Sequence, residues 1–175
     1  MGKKVMGMQK MPTGVDNFRI LREKNYYFVD KTYFIKEILD NQVPVTLITR
    51  PRRFGKTLLL SMLKEFFDIN AAGSRLFDGL SIARAGEAYT GHQGKYPVIF
   101  MSMKSAALGK LENTLGMIRW ILSDLYGTHI YLLKSDLLDE NEKEYYKRVY
   151  ARDIALQEQD LAKALSKLSL FLYKH

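Results

Sequence analysis

The spacing of apolar residues changes several times along the chain and predicts alternating helices and strands. Asp16 is expected to cap a short helix over residues 18–21. The aromatic and β-branched run 26–29 predicts a short strand, and the apolar positions within 34–39 recur at helical spacing. The N-terminal part therefore predicts a helix, a strand and a second helix.

The next segments have the pattern of a strand, a loop and a helix. Residues 44–49 form a β-rich apolar run that is too short for a helix, which favours a strand buried on both faces of a parallel sheet. From Lys56 to Phe67 the apolar residues form one wide helical stripe. The Gly-rich stretch 86–94 predicts an exposed connection, and a second buried strand is predicted after it at 97–102. Helical spacing returns three times, near 111–125, 145–150 and 161–172.

Composition narrows the classes of protein to consider. The chain has 175 residues, of which 47% are hydrophobic, and this suits one globular domain or most of one. It has no cysteine, which excludes disulfides and thiolate chemistry and fits a reducing cytoplasm. No apolar run approaches the roughly 20 residues of a membrane span, and the N-terminus lacks the apolar core of a signal peptide. We therefore expect a soluble cytoplasmic protein without a membrane partner.

Positive charge points to a partner that is rich in phosphate. The formal net charge is +8, which suits either a nucleotide or a nucleic acid. No acidic residue lies between Asp40 and Glu65. Five basic residues lie there, and four of them fall within the predicted loop or at its end: Arg50, Arg52, Arg53 and Lys56. Because this cluster coincides with the predicted loop before a helix, its position favours a nucleotide.

The loop from Arg50 to Thr57 has the chemistry of a phosphate-binding P-loop. Gly55 lets the backbone approach phosphate, Lys56 suits the β and γ phosphates, and the Thr57 hydroxyl suits Mg²⁺. The front of the loop departs from the usual pattern, since Arg50 stands where glycine is expected. Arg52 and Arg53 are interpreted as phosphate ligands, contacts to an acidic partner, or solvated charges.

The string from Arg50 to Thr57, Arg-Pro-Arg-Arg-Phe-Gly-Lys-Thr, resembles the modified P-loop of the bacterial and archaeal AAA-ATPase-like family, in which arginine also replaces the first glycine. Five other segments resemble the same family: Gly14–Phe18, Tyr26–Thr32, Phe66–Asp68, Leu76–Leu80 and Tyr96–Phe100. The resemblance implies ATP and Mg²⁺ as cofactors and a P-loop NTPase fold of class α/β. That fold is a three-layer core with a parallel sheet, expected to be incomplete here because the catalytic strand has not been reached.

The resemblance and the motif together give a set of candidate site residues. Those predicted to bind nucleotide are Pro51, Arg52, Arg53, Phe54, Gly55, Lys56, Thr57, Leu58 and Asp30. Thr57 is also the predicted metal ligand. Asp30 is interpreted either as a cap for the helix near Thr32 or as a residue near the base, and Tyr27 either as a core residue or as a stacking partner for the base.

The residues needed for hydrolysis are not evident. Hydrolysis by a P-loop protein normally needs an acid at the end of a second strand, but the 97–102 segment ends in Ser102. Asp136 follows an apolar run that Lys134 and Ser135 interrupt, so it is a weak candidate. We expect this chain to bind nucleotide without efficient hydrolysis, whereas a longer protein containing it would be an ATPase.

The expected organisation has two parts. Residues 1–43 are predicted to flank the nucleotide site, and residues 44–175 to form the N-terminal part of a P-loop ATPase domain. The family resemblance implies regulation of an attached effector, commonly a nuclease of the restriction-endonuclease type, through which nucleic acid would be a partner. Two alternatives stay open: a nucleic-acid-binding, nuclease-associated module and a degenerate P-loop scaffold. The sequence leaves the oligomeric state open.

Overall fold

A computed structural model describes residues 9–49, 51, 53–102 and 111–175, without the side chains of 111–113. The chain divides into two compact units, Met1–Val98 and Ile99–His175. Each unit has a hydrophobic core of its own. The predicted site residues that the structure describes belong to the first unit.

The described part of the first unit is built from four α-helices joined by loops and short 3₁₀ helices. The α-helices are α1 (Phe18–Glu23), α2 (Tyr33–Asn41), α3 (Lys56–Phe67) and α4 (Glu87–Thr90). The 3₁₀ helices are Ile69–Ala71 and Ser81–Arg84. The helix predicted around 18–21 is confirmed, but its cap is Asn17, whose side chain accepts a hydrogen bond from the Ile20 amide. The prediction of Asp16 as the cap was therefore wrong by one residue.

Aromatic packing and polar contacts join α1 to α3 in the first unit. Phe18 stacks on Phe77 with ring centroids 5.1 Å apart, and Phe66 meets Phe77 edge to face at the same distance. The Phe18 amide donates to Ser61 Oγ over 3.0 Å. The apolar stripe predicted from the sequence of α3 is the face that enters this core, since Leu59, Met62 and Phe66 are buried.

The second unit is also helical. Its α-helices are α5 (Leu111–Thr128), α6 (Glu140–Tyr150), α7 (Glu158–Ala162) and α8 (Ala164–Lys174), with a 3₁₀ helix at Ile130–Lys134. Buried hydroxyl groups connect the helices: Tyr126 Oη donates to the Ala164 carbonyl over 2.8 Å, and Tyr146 Oη to the Tyr126 carbonyl over 2.6 Å. The helix predicted over 161–172 is present as two helices that meet at Lys163.

The predicted α/β core with a parallel sheet is wrong. Residues 26–29, 44–49 and 97–102 are not strands, and the described ranges contain helices but neither a strand nor a sheet. Strand-like pairing is limited there to one isolated parallel bridge between Asp68 and Tyr96. The connection predicted at 86–94 also contains the short helix α4.

The absence of the strand predicted at 44–49 has a physical explanation. A strand needs a neighbour to satisfy its N–H and C=O groups, and no backbone hydrogen bond joins 43–49 to another described segment. Val45 and Leu47 are 82% and 83% exposed, although Ile48 packs against the core, so this segment is not buried on both faces. This segment therefore has the composition of a strand, but no backbone hydrogen bonds pair it with another described segment.

None of the helices in the described residues combines the length and apolar character that a membrane span requires.

We predict that Phe66→Ala lowers the free energy of unfolding of the first unit by about 3–5 kcal/mol, because Phe66 is fully buried between two other aromatic rings. Leu60→Ala on the same helix is the matched control, since Leu60 is 44% exposed whereas Phe66 is fully buried. Urea denaturation followed by circular dichroism measures both changes. Equal losses for the two variants would contradict the described core.

Candidate functional site

Two of the last three residues of the loop before α3 have a positive backbone φ. Arg53 has φ of 67° and Gly55 has φ of 73°, and Gly55 is the N-cap of α3. A glycine cap contributes no side chain to the amide groups of the first helical turn. The start of this 12-residue helix accordingly has no side-chain cap hydrogen bond.

The described candidate residues of the loop lie at the protein surface. Pro51, Arg53 and Phe54 are exposed, as is Thr57 in the first turn of α3. Lys56 is the first residue of the helix and is partly exposed, whereas Leu58 is half-buried and packs against the core of the first unit. Arg50 and Arg52 lie outside the described residues.

An apolar cavity of about 270 Å³ lies beside the beginning of α3. Its lining comes from the N-terminal loop, α1, the aromatic segment and the first turns of α3: Met11, Pro12, Leu21, Tyr27, Phe28, Val29, Lys31, Gly55, Leu58, Leu59 and Met62. Leu21, Leu59 and Met62 are buried and form the floor, while Met11, Tyr27 and Val29 are exposed and form the rim. Gly55 thus belongs both to the helix start and to the cavity.

Local hydrogen bonds hold the aromatic segment at the cavity. The Tyr26 amide donates to the Leu21 carbonyl over 3.0 Å, and the Tyr27 amide donates to the Lys10 carbonyl over 2.9 Å. The Phe28 ring meets the buried ring of Phe18 edge to face at 5.5 Å. Tyr27 is 48% exposed, so the interpretation of Tyr27 as a core residue was wrong.

Asp30 connects the edge of the cavity to a separate loop. One carboxylate oxygen accepts hydrogen bonds from the Thr32 amide and hydroxyl, at 2.9 and 2.7 Å, and the other accepts from the Ser81 amide and hydroxyl, both at 2.7 Å. Partial burial alone would raise the pKa of Asp30, but these hydrogen bonds outweigh it and lower the pKa to about 2. Thr32 itself is buried and accepts a hydrogen bond from the Ile82 amide over 3.1 Å.

The contacts of Asp30 agree with its interpretation as a residue that supports the helix near Thr32, whereas its role near the base stays a prediction. Thr32 is the N-cap of α2, so the Asp30 carboxylate supports the start of that helix. Its chain neighbours Val29 and Lys31 both line the cavity. The carboxylate is thus engaged with protein donors while the backbone on both sides of it forms part of the cavity wall.

An ion pair that sequence reasoning missed joins α1 to α3. Arg19 contacts Glu65 through two nitrogen–oxygen pairs, at 2.5 and 3.3 Å, and the Glu65 side chain is only 9% exposed. The cavity was also missed, because its residues come from four segments that are far apart in sequence. The sequence feature that could have indicated the cavity was the aromatic run 26–29, which was interpreted as a strand.

The weak candidate for a catalytic acid lies elsewhere. Asp136 is exposed in a turn after the 3₁₀ helix Ile130–Lys134, in the second unit, and is not at the end of a strand. Over the described ranges, no group of three or more His, Asp or Glu side chains could hold a metal ion. The described candidate site therefore consists of the start of α3 and the cavity beside it, and no cluster of acidic side chains lies among the described residues.

Comparison with known proteins identifies the family. A family model described as a predicted AAA-ATPase matches residues 12–168. The chain belongs to this family. The match includes the loop before α3, Asp30 and the residues that line the cavity except Met11.

A curated relative is similar over part of its length. A protein described as an uncharacterized protein in the vnfD 5′ region of Azotobacter chroococcum mcd 1 is 33% identical over 119 residues. The aligned region is 67% of this chain but only 22% of that relative, so this chain spans a minor part of the relative's length. No solved structure matches this AAA-ATPase-like chain.

We predict that Gly55→Ala lowers stability by about 1 kcal/mol, because alanine is strained at positive φ. A Cβ at this position would meet no atom within 4 Å, so no clash adds to the strain. Gly116→Ala in α5 is the matched control: it also has open space and lies in a helix, so it should stabilise by about 0.5–1 kcal/mol. Calorimetric unfolding of the two variants tests the opposite signs. Stabilisation by Gly55→Ala would contradict the left-handed cap.

We also predict that Asp30→Asn makes the free energy of unfolding less dependent on pH in acidic solution. The folded-state pKa of Asp30 is about 2 and its ordinary value is 3.8, so the unfolded chain binds the proton first as pH falls. The stabilisation from Asp30 is thus present above about pH 4 and is lost as pH falls towards 2. Denaturant unfolding between pH 5 and pH 3 measures the loss. Ser81→Ala, which removes one donor, should give an intermediate slope; identical slopes for wild type and Asp30→Asn would refute the assignment.

Proposed function

We propose that this AAA-ATPase-like chain binds ATP with Mg²⁺ at the start of α3. The triphosphate would lie against the loop that ends at Gly55 and against the first turn of the helix. The observation that carries this proposal is the glycine-capped, exposed start of α3 directly beside an apolar cavity, with Gly55 and Leu58 lining that cavity. Membership of a predicted AAA-ATPase family supports ATP as the ligand.

The helix start suits phosphate on electrostatic grounds. Aligned peptide dipoles give the N-terminus of a helix roughly half a positive charge, and its first amides point towards the bound anion. Lys56 and Arg53 add positive charge next to that end. We assign Lys56 to the β and γ phosphates and Arg53 to the outer phosphate oxygens, while Pro51, Phe54 and the sequence neighbours Arg50 and Arg52 complete the proposed loop.

Thr57 is the proposed protein ligand of Mg²⁺. Its hydroxyl is exposed in the first turn of α3, next to Lys56. Mg²⁺ usually keeps several waters and takes further oxygens from substrate phosphates, so a nucleotide site needs few protein ligands. The residues present therefore fit a nucleotide-bound magnesium ion, although they would not form a protein-only metal site.

We further propose that the nucleotide state regulates an attached domain in a longer cytoplasmic protein. What supports this is that the curated relative is several times longer than the aligned region. In this proposal, residues 1–43 flank the nucleotide and residues 44–175 belong to the ATPase module. Hydrolysis would need an acid that we do not assign, so binding is the activity expected of this chain.

We predict that saturating MgATP raises the unfolding midpoint of this chain by roughly 5–10 °C. A ligand at a hundred times its dissociation constant adds about 2.7 kcal/mol, and each kcal/mol shifts the midpoint of a domain of this size by about 2–4 °C. Lys56→Ala should abolish the shift. Lys64→Ala, near the other end of α3, is the matched control and should retain it.

The magnesium assignment is tested in the same thermal experiment. Thr57→Val should lose the part of the shift that depends on Mg²⁺, and Thr57→Ser should keep it because the hydroxyl is preserved. A shift that persists in Lys56→Ala would contradict the proposed phosphate site. Absence of any shift, together with salt-sensitive binding of nucleic acid, would favour the nucleic-acid alternative instead.

A further inference from the structure

We propose that the end of α6 and the neighbouring face of α5 form a docking surface for an acidic segment of another protein. The surface, which we call the Trp120 patch, consists of Trp120, Tyr150 and Arg152. In the proposed complex, Arg152 binds a carboxylate of the partner, and the two aromatic rings cover an apolar side chain beside that carboxylate. The patch lies in the second unit, so this proposal is independent of the nucleotide site proposed for the first unit.

Arg152 occupies a backbone position that favours glycine. Helix α6 ends in a Schellman motif: the Arg152 amide donates to the Val149 carbonyl over 3.1 Å, and the Asp153 amide donates to the Arg148 carbonyl over 3.0 Å. The residue at the place of Arg152 in this motif is left-handed and is usually glycine, and Arg152 has φ of 59°. Because a side chain is sterically disfavoured at positive φ, the helix ending by itself does not explain an arginine here. Strain of this kind is a reason to seek a role for the side chain.

The Arg152 side chain lies on the face of an exposed tryptophan. Its Cζ atom is 3.9 Å from the centroid of the Trp120 ring, and Trp120 is 60% exposed. Arg152 is exposed as well, and no carboxylate of the described residues forms an ion pair with it. Because the N–H groups of a guanidinium lie in its plane, stacking on a ring leaves them able to bind a carboxylate through two parallel hydrogen bonds.

Tyr150 extends the patch along α5. Ser123 Oγ donates to the Tyr150 carbonyl over 2.6 Å, which holds the end of α6 against α5. The Tyr150 ring lies over Gly127, where an added Cβ would be only 3.2 Å from it. Gly127 is about two helical turns after Trp120, so the two positions share one face of α5. Tyr150 is 46% exposed, and two accessible aromatic rings therefore lie along this face.

The patch has the composition and the rigidity of a binding surface. Tryptophan, tyrosine and arginine are the residues most enriched among those that dominate binding energy at protein interfaces. Ile154, two residues after Arg152, is 87% exposed and adds apolar surface. The connecting turn is held by Asp153, which pairs with Arg148 over 2.7 Å and accepts a hydrogen bond from the Ala155 amide over 2.8 Å. A surface that is ordered before binding loses less conformational entropy when a partner binds.

The distribution of charge favours an acidic protein segment over a nucleic acid. Residues 99–175 carry eleven basic and ten acidic side chains, so nearly all of the net charge of +8 lies in residues 1–98. Binding to a nucleic-acid backbone requires several basic side chains that neutralise phosphates together. At the patch, Arg148 is already paired with Asp153, which leaves Arg152. One arginine between apolar rings fits a single carboxylate with an apolar neighbour.

The test uses the fluorescence of Trp120, which is the single tryptophan of the chain and therefore reports on the patch directly. The probe is a capped hexapeptide of alternating glutamate and leucine, titrated into the full chain. It should give a saturable shift of the emission to shorter wavelength, because the ring leaves water when the peptide covers it. The matched peptide with glutamine in place of glutamate should bind about 10-fold more weakly or less tightly still, since it lacks the charge-assisted hydrogen bonds.

Arg152→Gly separates binding from structural support. Glycine suits the left-handed position, so this variant should unfold at the same temperature as the wild type or at a higher one. Its affinity for the glutamate peptide should fall by about 10-fold or more, because the carboxylate loses its partner. Lys163→Ala is the matched control: it removes one positive charge from an exposed position between α7 and α8 and should retain the affinity of the wild type.

Several results would overturn the proposal. The glutamate peptide would give no saturable shift, or it would bind Arg152→Gly as tightly as the wild type. A lower unfolding temperature of Arg152→Gly would also contradict it, because the side chain would then serve the helix ending itself. A shift produced by single-stranded oligothymidine in place of the peptide would assign the patch to nucleic acid, and a shift produced by concentrating the chain without peptide would assign it to a second copy.

Discussion

The contact between α1 and α3 is the interaction on which the candidate site depends. Glu65 is nearly buried on α3, and a buried carboxylate is costly unless it is paired, so Arg19 fixes how α1 lies against α3. The Phe18 amide on Ser61 Oγ adds a second polar contact in the same interface. These contacts bring the segment after α1 beside the first turns of the helix.

The cavity follows from that arrangement. On one side, Leu58, Leu59 and Met62 project from adjacent turns of α3; on the other, the backbone of 27–29 follows directly from α1. Asp30 then fixes the far end of this segment by four hydrogen bonds to Thr32 and Ser81. The segment 27–29 is therefore held at both ends, and this keeps the cavity open next to the exposed start of α3.

Sequence reasoning succeeded where one segment determines its own structure. The amphipathic period predicted α2 and α3, and the Gly-Lys-Thr string predicted that a helix begins at Lys56. It failed where structure depends on a partner: the apolar run 44–49 has strand composition, but the described residues provide no neighbour for it. The cavity and the Arg19–Glu65 pair could not be predicted from the sequence, because both join residues that are far apart along the chain.

The two halves of the proposed nucleotide site share α3, and this has an energetic consequence. In the proposed site, contacts to phosphate at the helix start would be the same for every nucleoside triphosphate, so a difference between nucleotides would come from residues such as those of the cavity. That cavity begins at Gly55 and continues along the same helix to Met62. Its second wall follows α1 in the chain, so a change in the Arg19–Glu65 contact would alter the shape of this cavity more than the start of α3.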